Sequence, residues 1–210
     1  MQAWDTWLND LMPHLPGCGA DLVAHELKRA AQDFFERSRA WGVLLDEVNV
    51  AIDESEVEIL PDDSRQSIVR IEAASWNGEP LEEKTLPVIE VDIGADWMDQ
   101  TGTPTVITQL AHNSVRLVVT PDAAGVLRCR VSVKPSDASL GLPDQLAYKY
   151  REILANGAKA RLMLMPKKPW SNDNLGALAS SRFEDSLGTA KSSAFRAFGS
   201  ARTPSRPSWC

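Results

Sequence analysis

Hydrophobic positions along this chain follow two periods, one helical and one β-like, with two changes between them. In residues 142–165, LPDQLAYKYREILANGAKARLMLM, the apolar and small residues Leu146, Tyr150, Ile153, Gly157, Ala160 and Leu164 fall at 4-3-4-3-4 spacing. That spacing predicts a single stripe along one helix. Pro143 suits the first helical position, Asp144 the positive end of the helix dipole, and Pro166 and Pro169 stop the element. Gly157 and Ala160 lie mid-stripe, where a second helix can approach the backbone closely, and they are the expected helix-crossing contact.

Partners for this helix are predicted near both ends of the chain. One helix is expected from Asp21 to Trp41, with Val23, Leu27, Ala30, Phe34 and Trp41 as its stripe and Gly42 ending it. Another follows the connector 166–173, whose Ser, Asn and Asp residues can cap it, and runs to about Phe198. Its stripe is Leu175, Ala179, Phe183, Leu187, Ala190, Ala194 and Phe198, weakened by Gly176 and Gly188. Trp4, Trp7, Leu8 and Leu11 predict a short amphipathic helix that ends by Pro13.

From Val43 to Pro135 the period falls to two. Val48, Val50 and Ile52, then Val57 and Ile59, Ile68 to Ile71, and Val88 to Ile93 read as strands. Val115, Leu117 and Val119, and Leu127, Cys129, Val131 and Val133, continue the alternation, with turn-forming clusters between the runs. The expected fold is α+β: an α-helical bundle of residues 1–42 plus 136–198, with an inserted antiparallel β-sandwich or small barrel over 43–135. Residues 199–210, GSARTPSRPSWC, are rich in Pro, Ser and Arg and read as an extended C-terminal arm.

Composition narrows the function classes. At 210 residues and 43% apolar the chain can bury one core or a core with a satellite. The net charge of −7 argues against non-specific nucleic-acid binding over the whole surface. No apolar run reaches the about 18 residues of a membrane span, and the acidic MQAWDTWLNDL does not read as a signal peptide. Cys18, Cys129 and Cys210, odd in number and widely spaced, suit free thiols in a reducing cytoplasm.

Catalytic chemistry finds few residues. The chain has no GxSxG, Walker A, GxGxxG, HExxH or CxxC pattern, and His14, His25 and His112 stand apart from any nucleophile or metal-ligand partner. Asp53, Glu54, Glu56 and Glu58 offer a conceivable carboxylate pair, yet read better as a charged, solvated sheet edge. No enzyme activity, metal or cofactor is expected. Seven tryptophans include Trp76, Trp97, Trp170 and Trp209 outside the helical stripes, residue types suited either to interfaces or to core anchoring.

Three stretches carry a family resemblance. PHLPGCGADLVAHELKRAAQDFFERSRAW resembles the opening helix of head-to-tail adaptor proteins of short-tailed bacteriophages; GTP at Gly102–Pro104 before a strand is a second match. The third is LPDQLAYKYREILANGAKARLMLMPKKPW, with its Leu-Pro-Asp start, interior Gly-Ala, Leu-Met segment and Pro-x-x-Pro-Trp exit. The resemblance implies a structural virion protein at the tail or neck, assembled in the host cytoplasm. Such a protein forms a homo-oligomeric ring, twelve-fold in related adaptors, that joins the capsid portal to tail nozzle or fibre proteins. DNA only passes through its channel. An arm reaching along the portal is implied too, and Phe198, Arg202, Arg206 and Trp209 are its expected portal-binding residues. Prolines 204 and 207 keep that segment extended, which lowers the entropy lost on docking. Alternatives are a tail or neck protein whose β domain docks fibres, and a non-viral β binding module.

Overall fold

The computed structural model describes residues 1–196. From the N-terminus these are β1 (Gln2–Ala3), a 3₁₀ turn, α1 (Leu8–Leu11), a second 3₁₀ turn and α2 (Ala20–Ser38). Next come β2 (Gly42–Leu44), β3 (Val48–Val50), β4 (Glu56–Glu58), β5 (Gln66–Trp76), β6 (Glu79–Glu83) and α3 (Leu86–Ile93). They are followed by a 3₁₀ turn over Ala95–Asp99, β7 (Thr101–Gly102), β8 (Val106–Ala111), β9 (Ser114–Val118), β10 (Thr120–Pro121) and β11 (Gly125–Pro135). The remaining elements are β12 (Gly141–Leu142), α4 (Asp144–Met163) and α5 (Asp173–Arg196). The class is α+β. Among the described residues two compact units form, one from Met1–Ala40 with 140–196, the other from Trp41–Ser139.

In the helical unit α4 packs against α2, α5 and α1, so it needs a wide apolar arc. Of the predicted stripe, Tyr150, Gly157 and Ala160 are buried, Leu146 and Ile153 half-buried, and Leu164 exposed. The stripe marks one flank of the arc. Ala147, Leu154, Ala158 and Leu162 are fully buried and extend it to the other side. Pro143 is the residue before the helix (φ −53°, ψ 139°), not its first helical residue.

The second helix is shorter than expected. It ends at Ser38 because Arg39 turns left-handed (φ 54°) and donates its N–H to the Phe35 carbonyl at 3.0 Å. Trp41 therefore leaves the helical stripe. It is buried in the β unit, where its carbonyl accepts from Val133 N at 2.9 Å. Gly42 begins a strand instead of closing a helix.

On α5 the buried apolar side chains are Ala179, Phe183, Leu187 and Ala190, and Gly176 is buried as well. Asn172 Oδ1 caps its start by accepting from Leu175 N at 3.1 Å. Phe34 links the three helices, its ring centroid 4.9 Å from Tyr150 and 6.2 Å from Phe183. Arg37 on α2 adds a two-pronged ion pair to Glu184 on α5, at 2.7 and 2.5 Å.

The β unit is built on the long antiparallel pair β5–β11. Leu127, Cys129, Val131 and Val133 alternate inward along β11, as their spacing predicts. The sheet runs β2-β11-β5-β6-β8-β9-β4, and β3 also pairs with β11. Asn77 and Gly78, both at positive φ (50° and 92°), make the tight turn between β5 and β6.

Two features depart from the sequence expectation. The sheet is mixed, because β6 and β8 are parallel, as are β7 and β10 in a separate pair. Parallel neighbours need a crossover, and the crossover is α3. Residues 88–93, expected as a strand, are thus helical. Thr85 stays extended before the helix, Pro87 sits in its first turn, and Thr85 O accepts from Ile89 N at 3.1 Å. Gly94, at φ 105°, ends it. Ile89 packs with Trp97, Val106 and Val118 in a small second core.

Two measurements follow. At Gly157 an added Cβ would lie 2.8 Å from two Phe183 ring carbons and 3.0 Å from Ala30 Cβ, whereas at Gly188 it meets nothing. In thermal melts Gly157→Ala is expected to destabilise by about 1–3 kcal/mol, while Gly188→Ala stabilises by about 0.5–1 kcal/mol. The Arg37 hydrogen bond holds the Glu184 carboxyl below its ordinary pKa. A lowered folded-state pKa means the pair contributes above the ordinary glutamate value and is lost as pH falls through the lowered one. A double-mutant cycle with Arg37→Met and Glu184→Gln should read a coupling of about 0.2–1 kcal/mol near neutrality, because both groups are well exposed. The coupling should vanish in acid.

Candidate functional site

His14, His25 and His112 are all exposed, and no group of His, Cys, Asp or Glu among the described residues is arranged to hold a metal ion. Burial pushes the Cys129 thiol up to about 11 and raises Cys18 as well, the opposite of what a nucleophile needs. The acidic run resolves into edge strand β4 and the turn before it. Glu56 pairs with Arg116 at 3.0 Å, Glu58 accepts from Asn113 Nδ2 at 3.1 Å, and Glu54 accepts from Ala51 N at 2.8 Å. Those partners make it a guarded sheet edge.

Packing contacts and surfaces carry the remaining possibilities. Gly157 lies where the Phe183 ring and Ala30 close on α4, and Ala160 is buried on the same helix. Trp76 and Trp97 are buried, so they anchor cores; Trp170 is half-buried. Phe198, Arg202, Arg206 and Trp209, with the whole arm 199–210, lie outside the described residues.

A contact that sequence reasoning missed ties down the N-terminal segment. Arg151 on α4 donates to Asp10 Oδ2 at 2.6 Å, to Gln2 Oε1 at 3.3 Å and to the Thr6 carbonyl at 3.3 Å. Its guanidinium carbon also stands 5.2 Å from the centroid of the buried Trp7 ring. β1 pairs antiparallel with β12, and a Cβ at Gly141 would run into the Gln2 carbonyl, so only glycine fits that approach. Residues 1–15 are thereby part of the helical unit, with Trp7, Leu11 and Leu15 fully buried. No local signal pairs Asp10 with a residue 141 positions away.

Charge is divided between the units. Of the chain's 29 acidic and 22 basic residues, positions 41–139 hold 18 and 7, and the rest of the chain holds 11 and 15. The β unit is therefore strongly anionic and the helical sequence mildly cationic. Counting charge per segment, not over the whole chain, reveals this from sequence alone.

The residues recognised by a family-level sequence model decide the identity. The model of the SU10 adaptor protein family matches residues 1–206, nearly the whole chain. The chain belongs to the SU10 adaptor protein family. It is a phage adaptor, a structural component of a virion. No curated protein matches this adaptor. No helix among the described residues is long and apolar enough to cross a membrane.

The adaptor's N-terminal anchor is testable. Arg151→Ala should cost about 1 kcal/mol, since charged hydrogen bonds are strong but the guanidinium is partly solvated. It should also speed proteolytic release of residues 1–15, read by mass spectrometry of a time course.

Proposed function

We propose that this adaptor assembles into a closed twelve-fold ring that joins the capsid portal to the tail and extends the DNA channel. The observation that carries the reading is the family match over residues 1–206, which takes in both units and most of the arm. Ring closure needs heterologous side-to-side contacts, and a chain with two chemically different units supplies unlike faces for them. The portal is the first partner. Tail nozzle or fibre proteins are the second, and the β unit is the part that meets them. DNA passes without being held, because the carboxylate-rich β unit repels phosphate and releases no counterions. The assembled ring belongs to the virion neck and is put together in the host cytoplasm.

The arm 199–210 is the proposed portal anchor. Phe198 and Trp209 supply apolar contact, and Arg202 and Arg206 supply charge-assisted hydrogen bonds, the residue types that dominate interfaces. Gly157 and Ala160 serve inside the monomer, where they set how closely the helices cross. In this reading the full chain, mixed with isolated portal rings, co-sediments at twelve copies per ring as counted by native mass spectrometry. Deletion of 199–210 leaves a folded monomer that no longer co-sediments, and Trp209→Ala weakens binding measurably. Undiminished binding by the truncated chain would assign the portal contact to the helical unit instead.

A further inference from the structure

Helix α3 is unusual for what it leaves uncovered. Ile89 and Ile93, four apart, face the small core with Trp97, whereas Val88 and Val91, three apart, face out. Val91 is 84% exposed and Val88 44%, and Met98 just beyond the helix is 51% exposed. β-branched residues lose side-chain freedom in a helix, so this helix gains little from propensity and little from its outer face. The rim around that face is acidic. From Glu82 to Asp99 the chain has six carboxylates and one basic residue, Lys84, which is tied to Asp92 at 2.8 Å and to Glu82 at 3.3 Å; Glu83 is paired with Arg70 at 3.1 Å, so the negative rim rests on Glu90, Asp96 and Asp99.

A second uncovered apolar face lies on the helical unit, with the opposite rim. Leu175 and Leu178, three apart at the start of α5, are each 48% exposed, and Leu164, 46% exposed, lies against Gly176 in the same turn. Lys167, Lys168 and Arg182 flank this face, all exposed, against two carboxylates, Asp173 and Asp185.

We propose that the α3 face of one copy, centred on Val88 and Val91, docks against the Leu175–Leu178 face of the next copy. Both faces are apolar at the centre and charged at the rim, and the rims are of opposite sign, so like faces repel while unlike faces attract. The two faces belong to different units of one chain. The contact is therefore heterologous, and repetition closes it into a ring or extends it into a filament. Rim attraction sets register and encounter rate, and burial of the valines and leucines supplies the affinity. This contact deepens the ring reading and rests on it.

The test uses full-length chains in which Cys210→Ser removes the third thiol, the other two being buried. Val91→Cys and Leu178→Cys are introduced singly and together, rings are assembled on portal, and a short bis-maleimide is added. The double variant is expected to give a ladder of cross-linked multimers, and each single variant to stay monomeric on a denaturing gel. Val91→Glu should lower assembly by at least about tenfold. Glu90→Lys and Arg182→Glu should each weaken assembly, and together restore it. If rings form but the double variant does not cross-link, this contact is overturned and the ring stands. Cross-linking by the single Val91→Cys chain would mean that like faces meet, which also overturns it. If Val91→Glu blocks joining of the tail but not ring assembly, a tail protein covers α3 and the proposal fails. If wild-type chains form no ring on portal, the ring reading and the contact fall together.

Discussion

The helical unit depends on how closely the Phe183 ring approaches the bare backbone of Gly157. That approach brings α5 against α4 while Ala30 brings α2 in on the same spot. With three elements converging there, α4 has to be apolar over a broad arc, and Phe34, Tyr150 and Phe183 fill the space beside the crossing. Interiors packed to this density do not accommodate even one extra methyl without movement. The same logic recurs at Gly176 under Leu164 and at Gly141 under Gln2. Gly157, Gly176 and Gly141 mark where backbones or bulky side chains come together, whereas Gly188 faces open space.

Those contacts are non-local in sequence, with the β unit standing between α2 and α4. The β unit can be inserted there because its two ends leave from neighbouring strands: Gly42 on β2 pairs with Ser132 on β11. Loop-closure entropy rises only slowly with the length of an insertion, so a folded insert with adjacent ends adds little further cost to closing the bundle. Arg151 then ties the N-terminal segment onto α4, adding Trp7, Leu11 and Leu15 to the same core.

An adaptor's work is done by surfaces, and here the two units differ in both charge and apolar exposure. The carboxylates of β4 are satisfied within their own unit and blunt a sheet edge that would otherwise pair with anything extended. The exposed valines of α3 and leucines of α5 have no such guard. An arrangement that closes one hazard and leaves two apolar faces open is what a protein destined for assembly requires.

Periodicity by itself determined the strongly patterned elements. The stripe of α2 as far as Phe34, that of α5 from Ala179 to Ala190, and the alternation of β11 are legible because each element buries one face there, and one buried face writes one period into the sequence; Leu175, predicted on the α5 stripe, is instead exposed. The α+β class follows from the two changes of period, and the adaptor family from motifs at both ends of α4 and along α2. Tertiary structure decided the rest. Residues 88–93 read as a strand because β-branched residues suit strands, yet the parallel pairing of β6 with β8 requires a crossover, and Thr85, Pro87 and Gly94 frame a helix there. Trp41 sits at helical spacing from Phe34, but the left-handed turn at Arg39 delivers it to the other unit. The buried arc of α4 is wider than its stripe because alanines such as Ala147 and Ala158 are too small to register as apolar until neighbours surround them. Arg151 and Asp10 meet only when the chain has folded, since no local pattern connects residues so far apart. A one-dimensional pattern records which face of an element is buried; which neighbours bury it, and how closely, is set by packing in three dimensions.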